Sequence, residues 1–72
     1  MLKMNELVLD IVVPLYNDSD VLAALCDAIF SEIDGKFKSF RLILVDDGSI
    51  DSTFENAIEM RGKYDSLEVI RL

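Results

Sequence analysis

Histidine is absent from the 72-residue sequence, and cysteine occurs only once. Without histidine, the chain has no imidazole for base catalysis and no ligand for the common His-containing zinc sites. The single Cys26 cannot form an internal disulfide, which fits a reducing compartment. Its position among apolar helix residues predicts a core thiol and not a nucleophile.

Basic residues are also few. The 7 lysine and arginine residues stand against 14 acidic residues, for a formal charge of -7, and they form no basic stripe. This balance argues against binding to the phosphate backbone of DNA or RNA. No apolar run approaches the ~20 residues that span a bilayer. Residues 1–10 lack the shape of a signal peptide because acidic residues interrupt them, so we expect a cytoplasmic chain or segment.

The composition is that of a globular protein, with 51% hydrophobic and 29% charged residues. A chain of this length forms one small domain that buries roughly 60% of the surface of its unfolded form. We therefore treat residues 1–72 as a single domain and exclude a second one.

The first half of the chain predicts a strand followed by a helix. Residues 7–13 are almost continuously apolar, and Pro14 ends the run, which indicates a strand covered on both faces. Residues 17–19 offer helix caps, and Gly35 lies where a helix C′ glycine takes the left-handed conformation. Between them, apolar residues at three- and four-residue spacing predict one buried helix stripe: Val21, Leu22, Leu25, Cys26, Ile29, Phe30 and Ile33.

The second half predicts a strand, a helix and a third strand. Residues 40–45 form a buried strand that ends at Asp46 and Asp47. Ser52 and Glu55 have the spacing of a capping box, and Gly62 is expected to end the helix that follows. The apolar face of this helix is predicted to hold Phe54, Ala57, Ile58 and the stem of Arg61. Residues 67–72 alternate apolar and charged side chains, as a half-exposed edge strand does.

The order strand, helix, strand, helix, strand indicates an α/β fold with parallel strands and right-handed crossovers. If the strands follow one another in one direction, both helices lie on the same face of the sheet. The other face is then bare, although the first two strands are apolar on both sides. We infer that the chain is either the front portion of a larger α/β domain or covers its open face by self-association.

Polar residues follow the first two strands at the point where each strand ends. Ligands of parallel α/β sheets bind beyond the carboxyl ends of the strands, so residues 14–18 and 46–49 are expected to be neighbours at a binding site. A carboxylate accepts N–H donors from a nucleobase, and an aromatic ring stacks on its face. Each residue alone is explained as well by a structural role, such as a turn aspartate, a positive-φ glycine or a rim tyrosine. Their register at two strand ends favours a site.

Three other nucleotide- or phosphate-related folds do not fit. The loop after the first strand reads PLYNDSD and lacks the G-x-G-x-x-G of dinucleotide-binding units, and no Gly-Lys-Ser/Thr phosphate loop is present. A response-regulator receiver has its acidic pair after the first strand. Here the pair follows the second strand.

The segments "DIVVPLYNDSDVLAALCDAIF", "FRLILVDDGSIDST" and "LEVIRL" resemble the opening of the family 2 glycosyltransferases. The resemblance implies a partial Rossmann-like β-α-β-α-β unit with a three-stranded parallel sheet, the nucleotide-sugar-binding front of a GT-A fold. It also implies a nucleotide-binding set: Pro14, Tyr16, Asp18, Val45 and Asp47. In this set Tyr16 packs on the base, Asp47 accepts the N–H of the base, and Asp18 stands where the family usually has Glu. Asp46 is then a structural partner of the turn.

The resemblance further implies a parent enzyme of the hexosyltransferase type with a UDP- or GDP-type sugar donor. Such enzymes generally use Mg²⁺ or Mn²⁺ held by a later D-x-D motif, and inverting members use a further carboxylate as base. After Asp51 this sequence has no D-x-D motif, and the resemblance places neither the metal site nor the base within this segment. We therefore expect no cofactor to be bound by this chain alone and no transferase activity from it. Membrane attachment of such parents is carried by C-terminal segments. The alternative hypothesis is a stand-alone module that binds a nucleotide, or only itself, and catalyses nothing.

Overall fold

A computed structural model describes residue 3 and residues 6–72 of the chain. Its elements run in the predicted order: β1 (Val8–Leu15), α1 (Leu22–Ile33), β2 (Ser39–Asp46), α2 (Thr53–Lys63) and β3 (Leu67–Arg71). All three strands are parallel and lie in the order β1-β2-β3. The α/β fold class and the partial Rossmann-like β-α-β-α-β unit are thus confirmed. Part of the segment argued to lack signal-peptide character, residues 1, 2, 4 and 5, lies outside the described residues.

Both helices pack on one face of the sheet and on each other. This follows from two right-handed crossovers that step in the same direction across the sheet. Side chains of all three strands and both helices meet there in one buried cluster: Leu15, Leu22, Cys26, Leu42, Leu44, Ala57, Met60 and Leu67. Burying leucine-sized side chains contributes roughly 1.5–3 kcal/mol each, so this cluster supplies most of the driving force for folding.

The opposite face of the sheet is bare within the described residues, as the topology predicts. Val12 is 60% exposed on it, and Ile70 is 46% exposed. Arg41, in the central strand, crosses this face and binds Asp10 at 2.9 Å and Glu68 at 3.4 Å. The expectation that β1 is covered on both faces is wrong for this chain, because its side chains alternate between packed and exposed. Nor does Pro14 end the strand, since β1 is at the sheet edge, where the missing N–H of proline is tolerated.

Helix α1 buries a narrower stripe than its sequence predicts. Leu22 and Cys26 are fully buried, whereas Val21 and Leu25 are exposed because the stripe is wider than the sheet-facing surface. Val21 is the N-cap and no side chain caps the helix, so the caps expected at residues 17–19 are not used in that way. Gly35 has φ of 75°, as predicted for a glycine just past a helix end.

Burial raises the pKa of the Cys26 thiol, and the neighbouring Asp27 carboxylate adds to the rise. A raised pKa lowers the thiolate fraction, and the thiolate is the reactive form. Cys26 is fully buried in the core cluster, which confirms the prediction of a core thiol.

Helix α2 begins and ends differently from its prediction. Ser52 is the N-cap residue but makes no side-chain capping bond, because its backbone (φ −81°, ψ 10°) is outside the extended region that a capping box requires. The carboxylate of Asp51 accepts the N–H of Thr53 at 2.9 Å instead. Gly62 lies within the last turn, and the helix continues to Lys63. The buried face is formed by Thr53, Ala57 and Met60. Of the predicted stripe, Ala57 is buried, Phe54 and Ile58 are half-buried, and Arg61 is exposed.

A polar contact joins the two helices at the end of the sheet away from the strand carboxyl ends. The hydroxyl of Tyr64 and the ammonium of Lys63 both donate to the Asp27 carboxylate, the latter at 2.9 Å. These bonds, that of Tyr64 first, lower the pKa of Asp27. Phe30 stacks on the Tyr64 ring with 3.9 Å between centroids. The described helices have 12 and 11 residues, and neither is long and apolar enough to cross a membrane.

Candidate functional site

The carboxyl ends of β1 and β2 lie side by side. The two strands pair in register up to Leu15 and Asp46, and the N–H of Asp47 then donates to the carbonyl of Leu15 at 2.9 Å. The loops that follow, residues 16–21 and 47–52, therefore start from adjacent positions. This is the convergence expected from the sequence.

Asn17 joins these two loops by two hydrogen bonds. Its N–H donates to Ser49 Oγ at 2.9 Å, and its Oδ1 accepts the N–H of Ile50 at 3.0 Å. Its φ of 50° is in the left-handed region, which asparagine tolerates better than most residues. The sequence placed Asn17 near the strand ends and offered it as a helix cap, but did not predict that it joins the two loops. An asparagine two residues after the end of β1 is the local signal that was available.

Two further bonds connect the first loop to the start of α2. The N–H of Asp18 donates to Thr53 Oγ1 at 2.8 Å, and Ser19 Oγ donates to Asp51 Oδ2 at 2.9 Å. Donation from the Thr53 hydroxyl is the main cause that lowers the pKa of Asp51. These bonds fix the two loops to each other and to the start of α2, so the backbone of the site is preorganised.

The two adjacent aspartates occupy different environments. Asp46 is fully buried, and its Oδ1 accepts the N–H of Ser49 at 3.3 Å as well as the Ser49 hydroxyl. Asp47 is exposed, and Gly48 beside it has φ of 77° with open space where a Cβ would be. Asp46 therefore shapes the turn, as its interpretation as a structural partner required. The Asp47 side chain is accessible from solvent.

The other predicted site residues lie around Asp47. Tyr16 is 60% exposed at the end of β1. Pro14 and Val45 are register partners on the uncovered face of the sheet, one residue before the last pair of the two strands. Asp18 Oδ2 accepts the N–H of Tyr16 at 2.9 Å, so this carboxylate already holds the loop that carries the tyrosine. The structure brings all five residues to one corner of the sheet.

Metal ligands are not assembled at this corner. Within residue 3 and residues 6–72, no three Asp, Glu or Cys side chains are placed to hold an ion. The residues of this segment thus do not fit the divalent ion that the resemblance implies.

A cavity of ≈ 430 Å³ lies elsewhere, between α1 and Tyr64. It is at the opposite end of the sheet, and its Asp27 is already paired with Lys63 and Tyr64. We therefore assign the candidate site to the strand ends and not to this cavity.

An open parallel α/β sheet with a polar, glycine-containing site beyond its strand ends is typical of nucleotide-binding domains. A comparison with known families makes this class specific: residues 10–72 match the family described as Glycosyl transferase family 2. The chain belongs to that family, whose members generally use nucleotide-sugar donors. No match was found among curated proteins.

Proposed function

We propose that this chain is the cytoplasmic, nucleotide-recognising front of a glycosyltransferase that uses a UDP- or GDP-type sugar donor. Residues 1–72 form a single partial domain, which supplies recognition and does not transfer sugar alone. The observation that carries this proposal is the exposure of Tyr16 and Asp47 on two loops that Asn17 fixes together.

Each residue of the set has a role that its surroundings support. The exposed Tyr16 ring stacks on the base, and the Asp47 carboxylate accepts its ring N–H. Uracil and guanine both carry such a ring N–H, which is why the donor type includes both. Pro14 and Val45 line the base site from the uncovered face, where they form the last register pair but one of β1 and β2. The Asp18 carboxylate accepts the backbone N–H of Tyr16.

NMR titration of the chain with UDP and GDP tests this assignment. We expect Asp47→Asn and Tyr16→Ala each to weaken binding by about tenfold, or ~1.4 kcal/mol, since each removes a direct base contact. Asp65→Asn makes the same change as Asp47→Asn at an exposed turn distant from the strand ends, so it serves as the matched control. Unchanged affinity in both site variants would defeat the assignment.

The second part of the proposal is that the segment alone is inactive. Sugar transfer needs neutralisation of the departing diphosphate and a base for the attacking hydroxyl, and the described residues do not assemble a metal site for the first. In the parent enzyme, we propose that Mg²⁺ or Mn²⁺ is held by residues outside this segment. Detectable transfer from a UDP- or GDP-sugar by the purified chain would overturn this part.

The uncovered sheet face favours a second candidate function, a non-catalytic module that binds a nucleotide or only itself. Val12 and Ile70 are exposed apolar side chains on that face, which a second copy of the chain or further polypeptide would cover. In sedimentation we expect the chain to associate and Val12→Lys to be monomeric, because a buried charge opposes face-to-face packing. A monomeric wild-type chain that unfolds cooperatively would contradict self-association.

The reading frame beyond Leu72 separates the two candidate functions. A D-x-D motif there would favour the enzyme, and a stop codon would favour the non-catalytic module.

A further inference from the structure

Asp46 carries a carboxylate oxygen whose environment is unusual for a buried charge. The side chain has no exposed surface, and its Oδ2 has no hydrogen-bond partner among the described residues. Buried carboxylates are normally paired, because removing a charge from water is costly without compensation. Something must compensate this oxygen.

The nearest cation is Arg71, at the end of β3. Its Nε is 3.6 Å from Asp46 Oδ2, within ion-pair range but longer than a hydrogen bond. Two features hold Arg71 in place. Its backbone pairs in register with Asp46, and its guanidinium lies 4.3 Å from the centre of the Phe54 ring. The pair therefore joins β2, β3 and α2.

The compensated carboxylate is the anchor for both site loops. Oδ1 of Asp46 holds Ser49, and Ser49 Oγ in turn accepts the N–H of Asn17. Arg71 is thus connected to the loops of Tyr16 and Asp47 through one continuous chain of polar contacts. Loss of its charge would leave Asp46 uncompensated inside the protein, and the turn that it organises would open to water.

We propose that Arg71 is a positioning residue for the nucleotide site, acting through Asp46 to hold the two loops in the binding geometry. The inference rests on the proposed function for its ligand and adds a third strand to a site otherwise built from β1 and β2. Arg71 does not touch the nucleotide in this arrangement.

The test compares Arg71→Met and Arg71→Lys with Arg61→Met. The last variant makes the same change on the exposed side of α2, where Arg61 has no ion pair among the described residues. Two readouts are used: affinity for UDP and GDP by NMR titration, and amide hydrogen exchange at Asn17 and Ser49. We expect Arg71→Met to weaken binding by about tenfold, ~1.4 kcal/mol, and to speed exchange at both amides. Arg71→Lys should recover most of both, and Arg61→Met should match the wild type.

If Arg71→Met does not fold, the double variant Asp46→Asn with Arg71→Met replaces it. This variant removes both charges and keeps a carbonyl acceptor for Ser49. The inference expects the double variant to fold where the single variant does not, and equal unfolding of both would overturn it.

The outcomes separate this inference from the function on which it rests. A wild-type chain that binds neither nucleotide defeats the proposed function, whereas exchange at Asn17 and Ser49 still decides whether Arg71 orders the loops. Nucleotide binding that is unchanged in Arg71→Met, with unchanged exchange, overturns the role of Arg71 alone. If Arg71→Lys restores neither the nucleotide affinity nor the slow exchange, the role of Arg71 is also overturned. A positive charge at this position would then not be sufficient to order the loops.

Discussion

Replacing Asp46 by Asn and Asp47 by Asn makes the same chemical change at two neighbouring positions. Asp46 is buried, bound to Ser49 and paired with Arg71, whereas Asp47 is exposed at the mouth of the site. We expect Asp46→Asn to reduce the stability of the fold and Asp47→Asn to leave stability unchanged while weakening nucleotide binding.

The magnitude follows from the contacts of Asp46. The amide oxygen of Asn can still accept from Ser49, but both bonds lose their charged acceptor, and the new NH₂ faces the Arg71 guanidinium. Hydrogen bonds to charged groups contribute about 1.5–3 kcal/mol each, against about 1 kcal/mol for neutral ones, so for two bonds we expect a loss of about 1–4 kcal/mol. For a domain of this size, 2 kcal/mol lowers the melting temperature by about 8–16 °C. Asp47→Asn should change stability by less than about 0.5 kcal/mol, as exposed substitutions do.

Urea and thermal denaturation followed by circular dichroism measure the two stabilities under identical conditions. Titration with UDP and GDP, limited to temperatures at which both variants are folded, measures the binding. The reasoning is refuted if Asp47→Asn destabilises the fold as much as Asp46→Asn does, or if Asp46→Asn is neutral. In either case the two carboxylates would not divide structure and recognition between them.

Two further predictions concern acid stability and the core. The lowered pKa of Asp51 means that the folded chain binds a proton less readily than the unfolded chain. Its contribution is therefore complete above the ordinary pKa of 3.8 and is lost as the pH falls through the lowered value. Asp51→Asn should make the urea midpoint depend less on pH below about pH 4, and an unchanged dependence would contradict this. Leu44→Ala, in the centre of the core, should cost about 2–5 kcal/mol of a total near 4–11 kcal/mol. Ile50→Ala, at a side chain 90% exposed, is its control, and equal losses would show that the core is wrongly placed.

The sequence predicted those parts of the fold that depend on residues close to one another along the chain. Apolar runs and their breakers placed all five elements in order, and Gly35 was placed correctly because few other residues take a left-handed backbone. Errors occurred where neighbours in space compete with local signals. Asp51 replaced the expected cap of Ser52, and Val21 is exposed at the N-cap position, before the first turn of α1.

The candidate site also has one part that the sequence predicts and another that it does not. The residues after each strand and their convergence follow from the topology of parallel strands, which is legible in the order of elements. The bonds of Asn17 to Ser49 and Ile50 join residues more than thirty positions apart, and no local pattern indicates them.

The sequence by itself determined the α/β order, the bare sheet face and the acidic pair at a strand end, because these depend on periodicity and on the handedness of crossovers. Only the tertiary structure decided what each acid of that pair does. Strand β2 ends at Asp46, whose side chain lies on the face that the helices cover, and Asp47 begins the loop beyond the strand. Asp46 is therefore enclosed beside Ser49 and Arg71, while Asp47 is left in solvent.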